Sequence, residues 1–135
     1  MPTRQEVIAQ FIPASPLVKH LGIELRKLDP DHAELVLPFK DEVATMGDVV
    51  HGGAISSLID TAAAAAAWSG AEVPERPRAS TVGLTIDFLA PARGQGVTAD
   101  ARLVRRGSTG LCFCEVKVSA EDGSEVAMAL VTYQL

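Results

Sequence analysis

Aromatic side chains are scarce in this 135-residue chain: one Trp, one Tyr and four Phe make up 4% of it, although 47% of its residues are hydrophobic. A core of that composition is aliphatic and tight, and the length suits a single domain spanning residues 1–135. Basic residues are outnumbered, 12 Lys and Arg against 17 Asp and Glu, which leaves a net charge of −5 and a pI near 5.1. That balance argues against a nucleic-acid partner. No stretch reaches the ~18 consecutive apolar residues of a membrane span, and the opening Met-Pro-Thr-Arg-Gln-Glu has no apolar signal region. A cytoplasmic protein with no membrane partner is expected. Only two cysteines occur. Cys112 and Cys114 alternate onto one face of a strand-like run, where an i, i+2 disulfide is strained, so both read as small core residues. Three histidines (His20, His32, His51) are scattered without metal spacing, and His20 and His32 read as surface residues. No metal site is expected. A G-x-S-x-G elbow and a glycine-rich phosphate loop are both missing.

What the chain does have is one unusual stretch. His51-Gly-Gly-Ala-Ile-Ser-Ser-Leu-Ile-Asp60-Thr leads into an alanine run, Ala62 to Ala67, and then Trp68. Between Val49 and Ala71 the only formally charged side chain is Asp60. Alanine has the highest helix propensity and almost no bulk, so this segment reads as a buried helix that other backbone approaches closely. A carboxylate on such a helix is costly unless it is hydrogen-bonded or used. The glycines before it allow a close approach to backbone N–H groups at a helix N-terminus, where the macrodipole favours an anion or a developing oxyanion. On a helical wheel Gly53, Ser56, Ser57, Asp60, Ala63, Ala64 and Ala67 form a small, polar side. Ile55, Leu58, Ile59, Ala62 and Ala66 form the apolar stripe.

In chain order, Thr3 to Phe11 reads as a short helix with a Thr3/Glu6 capping box, ended by Pro13 and Pro16. Leu21 to Leu28 and His32 to Pro38 read as a hairpin about the Asp29-Pro30-Asp31 turn. The central helix runs from about Gly53 to Ser69, with Gly70 at C′, and a loop with Pro74 and Pro77 covers 72–78. The period then changes to two. Thr81 to Leu89 places Val82, Leu84, Ile86 and Phe88 on one face, and strands follow at 97–104, 111–120 and 125–133. Short turns between them imply antiparallel pairing. The pattern specifies an α+β domain, with an antiparallel sheet wrapped around one long helix. Open sheet edges favour pairing with a second copy.

The segment from His51 to Ala62 resembles the signature of PaaI-like acyl-CoA thioesterases of the hotdog superfamily, and Ile86-Asp-Phe-Leu-Ala-Pro-Ala resembles the strand end and proline corner after the helix in that family. The similarity covers nearly the whole chain after about Leu17. The resemblance implies a hotdog fold and hydrolysis of an acyl-CoA thioester without metal or redox cofactor, coenzyme A being part of the substrate. It implies Asp60 as general base or nucleophile, and the Gly52 N–H as donor to the carbonyl oxygen. His51 is implied to shape the glycine turn and Thr81 to orient the attacking water. In the family the glycine loop and the acid come from different subunits, so a homodimer, or a dimer of dimers, is implied. Similar enzymes carry Asn or Gln six positions before the histidine, where this chain has Thr45.

Other expectations come from the residues. Gly53, Ser57 and Thr61 lie along the path of the substrate, and Trp68 and Phe88 are the large side chains nearest to closing the pocket. The slot is apolar, which favours medium-chain or aryl acyl groups. Arg105, Arg106, Ser108 and Thr109, in the turn before Gly110, suit CoA phosphates through guanidinium, hydroxyl and backbone N–H groups. Two other functions use the same fold: a hydratase or dehydratase acting on acyl thioesters, with His51 as acid/base, and a non-catalytic acyl-CoA-binding protein.

Overall fold

The computed structural model describes residues 3–72 and 78–135, so the expected loop with Pro74 and Pro77 lies mostly outside the described residues. A capping box starts α1 (Arg4–Ala14): the Thr3 hydroxyl accepts from the Glu6 N–H, and the Glu6 carboxylate accepts from the Thr3 N–H. The prolines do not end helical structure as expected. Pro13 lies within the last turn of α1, and Pro16 opens α2 (Pro16–Leu21). A proline at the first helical position gives up only an N–H that has no intrahelical partner. Gly22, at φ +79°, closes α2 in the left-handed conformation, so the first strand starts at Glu24 instead of Leu21.

The strands are β1 (Glu24–Asp29), β2 (His32–Leu37), β3 (Ser80–Phe88), β4 (Val97–Arg106), β5 (Leu111–Ala120) and β6 (Glu125–Gln134), with α3 (Gly52–Ser69) between β2 and β3. They form one antiparallel sheet in the order β1-β2-β4-β5-β6-β3. The inner face is wrapped around α3. Ala62, Ala63, Ala65, Ala66 and Ala67 of the helix are fully buried against small residues of the sheet, among them Ala33, Ala99, Ala101 and Cys114. Methyl-sized side chains on both sides let helix and sheet backbone approach closely. This is the α+β hotdog architecture that the sequence suggests.

Among the described residues the ladders carry four register shifts, and two of them move residues of the expected site. In β3 the register with β6 slips between Thr81 and Gly83. Thr81, Leu84, Ile86 and Phe88 therefore stand opposite Tyr133, Val131, Ala129 and Ala127 on the inner face, while Val82 sits in the bulge and is 61% exposed. Phe88 is also 53% exposed, because β3 is an edge strand with no neighbour on its outer side. In β4 the register slips between Leu103 and Arg105, which turns Arg106 inward opposite buried Cys112. Arg106 is thus a strand residue committed to the fold rather than a free turn residue. Its Nη2 donates to Asp31 Oδ1 at 2.8 Å and to the Ala67 carbonyl at 3.1 Å, at the C-terminal end of α3 where a cation complements the dipole. Gly70 is required for the same reason. It is the C-cap in right-handed conformation, and a Cβ there would lie 1.7 Å from Asp31 Oδ1. His32, expected at the surface, is held between Asp100 and Asp29 with its side chain 13% exposed.

Removing the guanidinium, as in Arg106→Ala, is expected to lower stability by about 1–2 kcal/mol, since it strips a charged hydrogen bond from the helix end and leaves Asp31 without its partner. A fall in the urea midpoint at unchanged slope would report it. The buried thiols supply a second test. Burial raises the Cys112 pKa and pushes Cys114 from its ordinary 9.0 up to about 11. The folded state holds these protons more tightly than the unfolded one. Their contribution to stability is therefore complete below about pH 9 and lost as the pH rises toward 11. The urea midpoint should fall across that window, and a thiol reagent at pH 8 should label neither cysteine before unfolding.

Candidate active site

An α-helix leaves its first four N–H groups without intrahelical partners. Counted from the cap of α3, the His51 N–H is given to the Val43 carbonyl at 2.8 Å, and His51 itself takes two more, those of Gly53 and Ala54. Its carbonyl accepts from Ala54 and Ile55 N–H at 3.0 and 3.1 Å, and its ring Nδ1 accepts from Gly53 N–H at 2.7 Å. Accepting at Nδ1 places the proton of a neutral ring on Nε2. A Cβ at Gly53 would approach Nδ1 to 2.9 Å, so the cap itself requires glycine there. The Gly52 N–H is left with no partner among the described residues. The Phe88 ring packs against Gly52, with its Cζ 3.4 Å from where a Cβ would stand. Thr45, Val49, Gly52, Ile55, Phe88 and Pro91 line a cavity of about 380 Å³ at this end of the helix.

Asp60 lies eight residues further along α3, ~12 Å at 1.5 Å per residue. It is half-buried and lines a different cavity, of about 420 Å³. The Thr81 hydroxyl donates to Asp60 Oδ1 at 2.5 Å. Only the β3 bulge makes this contact available. Strict alternation with Leu84, Ile86 and Phe88 would turn Thr81 away from the helix. Thr61, Ala64 and Trp68 continue the α3 wall of the cavity, Tyr133 contributes from β6, Ile8, Phe11 and Ile12 from α1, and Ser15 from the junction of α1 and α2. The Trp68 indole N–H donates to the Tyr133 hydroxyl at 3.2 Å.

The expected polar side of α3 is correct through Asp60 and then rotates. Thr61 and Trp68 face the cavity, whereas Ala63 and Ala67 are fully buried. Ser57 and Thr61 donate their hydroxyls to the carbonyls of Gly53 and Ser57, four residues back. Trp68 and Phe88, expected to close one pocket together, line different cavities near opposite ends of α3. Arg105, Ser108 and Thr109 are exposed at the strand end reached by Ala67, ~10 Å of helix beyond Asp60. Sequence reasoning missed Tyr133 and the α1 residues, although Ile8, Phe11 and Ile12 carry the i, i+3, i+4 spacing of an apolar helix face.

Chemically the site has two halves. One is a carboxylate in an apolar cavity, steadied by a hydroxyl. The other is an unpartnered N–H at a helix N-terminus, which suits an oxyanion. Within one chain they are too far apart to act on the same carbonyl. Among the described residues, no group of three or more His, Cys, Asp and Glu side chains is placed to hold a metal ion, and no helix is long and apolar enough to cross a membrane.

The family model of the thioesterase superfamily matches residues 47–127, more than half of the chain. The medium/long-chain acyl-CoA thioesterase YigI of Escherichia coli is 29% identical over 93% of this chain and 88% of its own. Among solved structures, a thioesterase family protein from Silicibacter pomeroyi superposes with a TM-score of 0.88 at 26% identity, covering 98% of this chain and 97% of that one. The E. coli PaaI protein of the phenylacetic acid degradation operon shares the fold, with a TM-score of 0.85 at 24% identity over 97% and 92% of the two chains. The helix with its glycine turn and carboxylate, the sheet wrapped around it and these likenesses agree: the chain belongs to the thioesterase superfamily, as a PaaI-like thioester hydrolase of hotdog fold.

Proposed function

We propose that the protein is an acyl-CoA thioesterase whose sites form between two copies of the chain. The observation that carries this reading is where the two half-sites lie along β3. Thr81, near the start of the strand, is bonded to Asp60, and Phe88, at its end, packs on Gly52. β3 is also the open edge of the sheet, with Asp87 its only charged residue, whereas the opposite edge, β1, carries Glu24, Arg26, Lys27 and Asp29. Antiparallel pairing of β3 with its own copy brings the start of one strand beside the end of the other. It thereby sets Asp60 of one chain beside Gly52 of its partner.

In this arrangement the thioester carbonyl oxygen accepts from the Gly52 N–H. A water bound to the free oxygen of Asp60 attacks the carbonyl carbon while the carboxylate takes its proton. Thr81, donating to the other carboxylate oxygen, holds the base in place. Collapse of the tetrahedral intermediate breaks the C–S bond, and the proton returns from Asp60 to the leaving CoA thiolate. No cofactor beyond the CoA of the substrate is needed. The pantetheine arm runs through the groove beside Gly52, past Thr45 and Pro91, and the acyl group enters the Asp60 cavity. The apolar lining there and the likeness to YigI support medium-chain acyl groups, and a cytoplasmic location belongs to the same reading. The hydratase alternative loses its acid/base group, because the His51 ring is already used as the helix cap.

Asp60→Asn keeps the shape of the side chain and removes the base. Thiol release from acyl-CoA should fall by several orders of magnitude with the fold intact, and Thr81→Ala should cost less, because it only steadies the carboxylate. Near-full activity in Asp60→Asn would rule out this mechanism. Gly52→Pro isolates the other half-site. The position is the first of α3, where proline is tolerated, and His51 before it is already extended at ψ 133°. Loss of that one N–H should lower kcat about 10²–10³-fold. If sites are shared, mixing the two inactive variants should restore activity, since each mixed dimer holds one intact site. No recovery after subunit exchange would overturn the pairing of Asp60 with the partner's Gly52.

A further inference from the structure

The Asp60 cavity has a measurable length, and α1 is one of its walls. Ile8, Phe11 and Ile12 fall at i, i+3 and i+4 and present one stripe of α1 to the cavity, and Ser15 borders it from the junction with α2. Opposite them stand Asp60, Ala64 and Trp68 at i, i+4 and i+8 on α3. Phe11 remains 58% exposed although it borders this apolar space. The slot therefore runs between two helices, with the carboxylate at one end and the Trp68–Tyr133 pair at the other.

We infer that this slot is a ruler for straight acyl chains of about eight to ten carbons, with Asp60 marking the reacting end, Trp68 the stop and α1 the wall. The inference rests on the thioesterase reading and adds the substrate class to it. The length follows from the helix. Asp60 and Trp68 are eight residues apart, ~12 Å at 1.5 Å per residue. An extended chain advances ~1.1–1.2 Å per bond, as three backbone bonds span ~3.3–3.6 Å in a polypeptide. With room left for the terminal methyl, about seven to nine bonds, or eight to ten carbons, fill the slot, more than a phenylacetyl group supplies.

The polar groups of the slot also select an alkyl occupant over the pantetheine arm. Toward Trp68 most donors are already engaged: the indole N–H is given to Tyr133 and the Thr61 hydroxyl to the Ser57 carbonyl, which leaves the Tyr133 O–H. Among the described residues no buried side-chain nitrogen or oxygen lacks a partner. The two amides of a pantetheine arm would find few partners there, whereas an alkyl chain requires none.

The test is the chain-length profile of kcat/KM for saturated acyl-CoAs from four to sixteen carbons, read by thiol release. For the unmodified protein it should rise about fourfold per methylene and turn over at eight to ten carbons. Ala64→Leu fills the slot midway and should lower the ten-carbon to four-carbon ratio at least tenfold. Trp68→Ala should move the optimum to longer chains, and Phe11→Ala should weaken long chains more than short ones. The same variants are titrated calorimetrically with S-alkyl thioether analogues of CoA, which cannot be hydrolysed. Binding that strengthens with alkyl length and is lost in Ala64→Leu supports the slot even if no substrate is cleaved, a result that would count against the thioesterase reading alone. A profile unchanged by Ala64→Leu in a protein of normal melting temperature overturns the inference. So does a profile shifted by Phe88→Ala but not by the slot variants, which would put the acyl chain in the groove at Gly52.

Discussion

Close approach of the α3 backbone to the sheet is the constraint on which everything else depends. Five alanines of the run are fully buried, and their partners across the inner face are themselves small. Little core volume is available, so the sheet curls tightly over one side of the helix and does not enclose the other. The uncovered side is where a carboxylate can exist. Asp60 is half-buried at that boundary, which gives it an apolar cavity without the full penalty of a buried charge. Larger residues in the alanine run would push the helix off the sheet, carrying Asp60 away from Thr81 and opening the sheet.

The parts that are local in the sequence were legible there. The glycine turn, the helix, its carboxylate and the succession of strands along the chain follow from propensity, periodicity and turn residues within a few positions of one another. The parts that depend on a distant partner were not. The bulges in β3 and β4 illustrate this. Val82 and Val104 each add one residue to a strand, and nothing near them announces it, because the register belongs to β6 and β5 respectively. Alternation alone turns Thr81 away from the helix and Arg106 out toward solvent. The bulges reverse both, and they do so in a single row across the sheet: Thr81 pairs with Tyr133, Tyr133 with Cys112, and Cys112 with Arg106. One end of that row supports the carboxylate and the other holds the end of α3. α2 was hidden for another reason, since Pro16 reads equally as a breaker and as a first helical residue.

The same row explains why the two Arg residues of the 105–106 pair differ. Neighbours in sequence, they stand on opposite faces of β4. Arg105 stays in solvent. Arg106 spends its donors on the Asp31 carboxylate, the Ala67 carbonyl and the Cys112 sulfur. Adjacent cations on a strand are parted by its alternation, and form a cluster in space only where the chain bulges or loops out.

The unlike edges of the sheet bear on how large an assembly can grow. A strand that presents charges along its free side is a poor template for another strand, because pairing would strip their water, and a strand that presents few is a better one. With β1 of the first kind and β3 of the second, strand pairing can occur once per chain. A two-fold contact uses that edge on both copies at the same time, so the pair exposes only its two charged rims. Under the β3 pairing proposed above, growth by this route would close after one step, and the continuous ladder that leads to fibres would have no next strand to add.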